Sequence, residues 1–261
     1  MSLSIQGKTV IITGAAHGLG QAIARHFVER GANVMAADID EAGLESAWGE
    51  GARNEGPLRF FADDLRQKLG ITNLLSATMD AFERVDVLVN AARLVQLSDP
   101  GCIEGDGVEA MWQHNVMTSL RLSQLCAKRM KAQGGGGAII NVSSIAARQT
   151  RPELLGYSMA CAAIEQMTRS MALALAPQGL RVNAVALGSV MTASLQAQLR
   201  ETPEYREAIT AGTPMGRIAA ASEVVETVQY LASDASGFMT GQVLVLDGGR
   251  SLQDAVPAPS H

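Results

Sequence analysis

Two hydroxyl side chains set the question. The apolar run AIINVS (138–143) leads into Ser144, and Tyr157 stands thirteen positions later at the head of a helical pattern over 156–176. A serine at a strand end can hydrogen-bond a carbonyl oxygen, and a phenol can donate or take a proton. A phenol is a poor base at neutral pH, because its ordinary pKa is about 10. A positive charge one helical turn further on would lower that value, since residues i and i+4 share a face with about 5–6 Å between their Cβ atoms. That position holds Cys161. A thiol is short, uncharged and a weak donor, and as a thiolate it would raise the phenol further.

A second constellation lies near the N-terminus. The strand pattern TVIIT (9–13) runs directly into TGAAHGLG (13–20), with glycines at Gly14, Gly18 and Gly20, and a helical pattern follows at once. Such a turn lets backbone approach a pyrophosphate, and the helix N-terminus offers free N–H groups and a positive dipole end. Ala16, His17 and Leu19 fill the remaining positions. The next strand pattern ends at Asp38, where a carboxylate can accept the adenosine-ribose hydroxyls and would repel the extra phosphate of NADP. No Arg or Lys follows at 39 or 40. His17 is the one basic side chain inside the turn, and an imidazole is a weak substitute for an arginine there. NAD is the expected cofactor. The bland alternative, that Asp38 caps the following helix, stays open on sequence alone.

These residues need a frame. Strand patterns fall at 9–13, 33–38, 58–63, 86–91, 138–143, 181–187 and 242–247, and helical patterns at 19–30, 65–83, 107–132 and 156–176. Nearly continuous Val, Ile and Leu runs suit strands covered on both faces, and their alternation with helices predicts βαβ units. The expected fold is a Rossmann-type, doubly wound α/β domain. Its seven-stranded, mostly parallel sheet would carry helices on both faces, in a single domain over 1–261 with a tail from about 251.

Composition bounds the function. The 261 residues are 47% hydrophobic and 18% charged, with a net charge of −5. That balance lacks the basic footprint of a nucleic-acid binder. No apolar run approaches the roughly 20 residues of a membrane span, and MSLSIQGKTVIITG does not read as a secretory signal. Three cysteines, Cys102, Cys126 and Cys161, show no metal-ligand spacing. Free thiols in a reducing, cytoplasmic compartment are expected, with no metal.

The glycine turn, DVLVNAA (86–92), IINVSS (139–144), Tyr157 and RVNAVALG (181–188) together resemble the short-chain dehydrogenase/reductase family, over essentially the whole chain. The resemblance implies an oxidoreductase that moves hydride between NAD(H) and a small alcohol or ketone. It implies Ser144 and Tyr157 as the catalytic pair, and Asn115 as the residue that bends the central helix and anchors a proton-relay water. It also implies cofactor contacts from Asp64 and Leu65 at the adenine, from Asn90, Ala91 and Ala92, and from Gly188, Val190 and Thr192 at the carboxamide. A homotetramer or homodimer through the helices near 107–132 and 156–176 is implied too, as is a lid over 192–215.

The chain departs from the pattern at four sites near the chemistry. Cys161 replaces the usual lysine, Arg93 replaces a usual glycine, and Leu187 replaces a proline; Ala91 replaces a second asparagine. Arg93 could supply the missing charge or obstruct the nicotinamide pocket. Arg148 and Arg151 are expected to face solvent or a substrate lid. Cys161 reads as a small buried residue more readily than as a nucleophile. Two further readings stay open: a weak or inactive family member that binds dinucleotide or builds an oligomer, and a non-redox isomerase or lyase with structural NAD. Substrate identity is not encoded in any recognisable anchor.

Overall fold

The chain is described as a computed structural model over residues 2–101, 107–149 and 151–254. Cys102 and the terminal PAPSH (257–261) lie outside the described residues. Strand β1 (Thr9–Thr13) is buried at every position. The strand turns at Gly14 into α1 (Gly18–Glu29), whose Ile23, Ala24 and Phe27 are fully buried. This i, i+4 stripe is what fixes the helix against the sheet. Truncating a side chain such as Phe27 to alanine costs roughly 3–5 kcal/mol. Strand β2 (Asn33–Asp38) follows, then α2 (Glu41–Trp48), β3 (Leu58–Ala62), α3 (Lys68–Phe82) and β4 (Val87–Asn90).

Helix α2 is absent from the sequence patterns because it is only eight residues long and contains Gly43. It forms because the Asp40 carboxylate accepts the Gly43 backbone N–H at 2.9 Å. Asp40, not Asp38, is therefore the cap of this helix. Helix α3 starts at Lys68 rather than 65, since residues 63–67 form a turn in which Asp63 donates its backbone N–H to the Asp38 carbonyl at 3.1 Å.

The pattern over 107–132 does not make one uniform helix. It divides into α4 (Val108–Met111), a π-helical turn over Trp112–Met117, and α5 (Thr118–Gln133). Such wide turns are rare and concentrate at functional sites. Strand β5 (Gly137–Ser144) then leads through short 3₁₀ turns into α6 (Leu155–Leu175), and β6 (Leu180–Leu187) follows. The expected lid contains the short strand β7 (Val190–Met191) and two helices, α7 (Ala193–Glu201) and α8 (Glu204–Ala211). The short strand β8 (Ala219–Ala220), α9 (Ala221–Ala232) and β9 (Val243–Leu246) complete the chain order. After β9, Arg250–Leu252 form a 3₁₀ turn in which the Ser251 N–H donates to Asp247 at 2.7 Å.

The seven-stranded sheet has the order β3-β2-β1-β4-β5-β6-β9, and all its pairings are parallel. Strands β7 and β8 pair separately. One face of the sheet packs α1 and α9 through Phe27, Val224, Val228 and Leu231. The other packs α3, α5 and α6 through Leu74, Leu122, Met130 and Ala172. The strand order reverses beside β1 and β4, and a crevice at such a switch point is where open α/β sheets bind ligands. No helix among the described residues is long and apolar enough to cross a membrane.

Candidate active site

The glycine turn and the β4 loop meet at the switch point. The Thr13 hydroxyl accepts the backbone N–H groups of Ala91 and Ala92, both at 3.1 Å. Gly14 lies so close to this loop that a Cβ would stand 2.8 Å from the Ala92 Cα, and its φ is +71°. Gly20 is tighter still: a Cβ there would lie 2.1 Å from the Gly14 carbonyl oxygen. Gly18, with φ +54°, faces open space. His17 gives α1 no side-chain cap, so its first N–H groups stay available to an anion.

Around this turn, the Asp38 carboxylate accepts the backbone N–H of Ala16 at 3.0 Å and of Asp40 at 3.1 Å. His17 lies 2.6 Å from Asp40 and is thereby turned toward α2. A shallow cleft of about 50 Å³ runs past Gly14, Asp38, Asp64, Leu65 and Ala92. Its acid edge carries a partner that sequence reading missed. Arg66 grips both oxygens of Asp64 at 2.8 Å and holds that carboxyl below its usual range. The spacing of two residues is the signal that could have revealed it.

Asn90 sits at the end of β4, yet its side chain turns into the protein. Its amide donates to Asn141 at 2.8 Å and to Ser123 at 3.0 Å, and Asn141 continues to Thr168 at 2.9 Å. This buried network binds β4 and β5 to α5 and α6. At the end of β6, Gly188 has room for no side chain, because a Cβ would meet Asp247 at 2.9 Å. Val190 is buried, and the Thr192 hydroxyl accepts the Leu195 N–H at 3.3 Å as the cap of α7.

The two hydroxyl side chains singled out in the sequence converge at the end of β5. Ser144 ends β5, where its hydroxyl donates to the Leu187 carbonyl at 3.3 Å and also meets the Tyr157 phenol. Tyr157 is 7% exposed at the start of α6, and Cys161 is 2% exposed one turn later. The two pack with Met111 and Ala146. Burial pushes the phenol above its ordinary value; Arg93 pulls it down and Cys161 adds to the rise. Burial likewise pushes the Cys161 thiol up to about 11, so it is a neutral thiol at pH 7. The Cys126 thiol stands at about 12 for the same reason.

Arg93 Nη1 lies 3.5 Å from the Tyr157 hydroxyl. Its position is set from below. The π-helical turn aims Asn115 at Leu94: Asn115 accepts the Leu94 N–H at 2.7 Å and donates to the Leu94 carbonyl at 2.8 Å. Asn115 therefore acts on the backbone beside Arg93, and its own carbonyl accepts the Ser119 hydroxyl at 2.7 Å. The twenty-one positions between the partners hide this clamp from sequence reading. Arg148 instead pairs with buried Glu165 at 3.2 Å, and Arg151 pairs with Glu153. Among the described residues no cluster of His, Cys, Asp or Glu could hold a metal.

Volume alone points elsewhere. A cavity of about 820 Å³ opens at the N-terminal edge of the sheet, past Lys8, Arg84, Asp86, Arg181 and Asp234. Its charges are largely paired with one another, as Lys8 is with Asp234 and Arg84 with Asp86. The convergent hydroxyls lie at the opposite edge, and chemistry rather than size selects the site.

The family described as enoyl-(acyl carrier protein) reductase matches residues 14–251. An uncharacterized oxidoreductase of Thermotoga maritima is 34% identical over 95% of this chain and 98% of its own. The cis-4-hydroxycyclohexanecarboxylate dehydrogenase of Sinomonas cyclohexanicum is 35% identical over 93% and 96%. Among solved structures, a 7α-hydroxysteroid dehydrogenase complexed with NADH and 7-oxo glycochenodeoxycholic acid superposes with a TM-score of 0.87. It is 29% identical and covers 95% of both chains.

Proposed function

The chain belongs to the short-chain dehydrogenase/reductase family of oxidoreductases, and from that premise we propose that it interconverts a small ketone and its alcohol with NAD(H). The observation that carries the reading is the convergence of the Ser144 hydroxyl and the Tyr157 phenol at the carboxyl edge of the sheet, with only β4 between β5 and the strand that feeds the glycine turn. The turn fits a dinucleotide: Gly18 faces open space, α1 has no side-chain cap, and Asp38 stands at the end of β2. Gly14, Ala16, Gly18, Leu19 and Gly20 would hold the pyrophosphate, and Asp38 the adenosine ribose. When bound, the dinucleotide supplies the hydride for a carbonyl carbon or takes it from an alcohol.

The remaining work falls to this chain. Ser144 holds the substrate oxygen by a hydrogen bond. Tyr157 donates its proton to that oxygen in reduction and recovers one in oxidation. A phenol raised by burial stays protonated at neutral pH. The site is therefore an acid at rest, suited to ketone reduction, while oxidation needs the scarcer phenolate and gains with rising pH. The neutral Cys161 leaves that bias in place.

The carboxylate of Asp38 favours NAD over NADP. Unpaired, buried Cys126 and Cys161 fit a reducing, cytoplasmic setting. Half-buried Leu125, Met171 and Leu175 on α5 and α6 suit a homotetramer or homodimer. A hydroxy acid substrate, as named for the Sinomonas relative, is one member of the alcohol class to try first. The test is fluorescence titration with NADH and NADPH, followed by NADH oxidation against a panel of cyclic and linear ketones. NADH binding and ketone-dependent oxidation are expected; binding without turnover on any ketone favours the non-catalytic reading.

A further inference from the structure

Tyr157 is a buried phenol whose helix offers it no cation. The residue one turn along is a neutral thiol, and the charge closest to the hydroxyl comes from another segment. We propose that Arg93 is the cation that acts on the Tyr157 hydroxyl, doing from the β4 loop what no residue of α6 does. This rests on the reading of Tyr157 as the proton-transferring group.

Three observations carry it. Arg93 Nη1 lies 3.5 Å from the phenol oxygen. Among the described residues no carboxylate pairs with Arg93, whereas Arg148 and Arg151, on the loop before α6, are each tied to a glutamate. The backbone is held on both sides of Arg93, and before it the Thr13 hydroxyl accepts the N–H groups of Ala91 and Ala92 at 3.1 Å. Asn115 clamps Leu94 through two hydrogen bonds of 2.7 and 2.8 Å, and the Ser98 N–H donates to the Glu153 carbonyl at 2.9 Å. A long side chain on so fixed a base delivers its charge to a defined place. The same field acts on the thiol, since Arg93 counteracts the rise of Cys161 as well as that of Tyr157.

A guanidinium keeps its charge at every working pH and has no proton to lend. Arg93 therefore stabilises the phenolate that is left when Tyr157 gives its proton to substrate, and it cannot pass a proton onward as an amine could. Return of a proton to Tyr157 must come from water at the site mouth, where Arg93 is exposed. Arg93 is a positioning residue in this sense: it works through Tyr157.

The test reads the phenol directly. The chain has three tyrosines, so the full-length protein carrying 3-fluorotyrosine gives a simple ¹⁹F NMR spectrum, with Tyr157 assigned by Tyr157→Phe. The Tyr157 resonance should titrate about one pH unit higher in Arg93→Met than in the unsubstituted protein, as expected for losing a cation at this range. Arg93→Lys should hold most of the original value, and Arg93→Met with Cys161→Lys should return it. The pH at which alcohol oxidation rises should move with the resonance. An unchanged titration in folded Arg93→Met overturns the proposal. If Tyr157→Phe keeps full ketone reduction, the functional reading fails instead, and the resonance still decides whether Arg93 acts on the phenol. Because Arg93 is exposed, loss of folding is not expected; if Arg93→Met does unfold, Arg93→Gln takes its place under the same criterion.

Discussion

The glycine turn and the cluster around Ser144 and Tyr157 face the same edge of the sheet but are built on opposite plans. The turn is made of backbone. Gly14, Gly18 and Gly20 lie within one short stretch, and their work is to leave space or allow close approach, as the 2.1 Å that a Cβ on Gly20 would leave to the Gly14 carbonyl shows. The cluster around Tyr157 is made of side chains gathered from β5, α6, the β4 loop and the π-helical turn, with Asn115 holding Leu94 beside Arg93. A site encoded locally tolerates little change at any one position. A site assembled from four segments can draw its charge from any of them, as we propose for Arg93.

The comparison can be broken first at the turn. Gly20→Val puts carbon where the Gly14 carbonyl oxygen stands, and overpacking of this kind costs about 1–3 kcal/mol. NADH affinity should fall by roughly a hundredfold, measured by fluorescence titration, with a lower Tm. A Gly20→Val protein that binds NADH normally would show that the turn is not the pyrophosphate site. In the side-chain cluster, Cys161→Lys should have a smaller effect of opposite sign. It places a cation beside the phenol, so alcohol oxidation near neutral pH should rise by about tenfold, while a bulkier charged group in a buried slot lowers the Tm. No gain in oxidation would mean that charge at 161 is not limiting. The smallest change should follow Asp38→Ala, which removes the carboxylate opposed to a ribose phosphate. The ratio of NADPH to NADH affinity should rise by roughly five- to tenfold; an unaltered ratio would place cofactor preference elsewhere.

Legibility followed the same division. The glycine turn, the end of β2 at Asp38, and the seven strands were readable because each depends on neighbours in sequence and on an apolar rhythm. The strand and helix patterns also placed Ser144 at the end of β5 and Tyr157 at the head of α6. The Asn115 clamp was not readable, since its partner is far away in the chain and nothing in WQHNV announces a π-helical turn. The Arg93 contact was visible only as one of two outcomes, because whether a long side chain reaches a phenol or blocks a pocket depends on the loop's path. Asp40 and Arg66 were overlooked for a plainer reason. Arg66 is exposed and Asp40 is half-buried at the surface, and surface charges are usually solvated, yet Asp40 starts α2 and Arg66 occupies the carboxyl of Asp64.

The central claim is that Tyr157 moves the proton while a bound dinucleotide moves hydride. The most direct measurement is NADH-dependent ketone reduction and the reverse alcohol oxidation from pH 6 to 10, for the unsubstituted protein and Tyr157→Phe, with NADH binding measured in parallel. Removing the proton donor should lower turnover by about 10²–10⁴-fold while NADH binding is kept. In the unsubstituted protein, reduction should hold across neutral pH and oxidation should climb with pH, because burial keeps the phenol protonated. Equal turnover by Tyr157→Phe, or oxidation that does not gain with pH, would contradict the account.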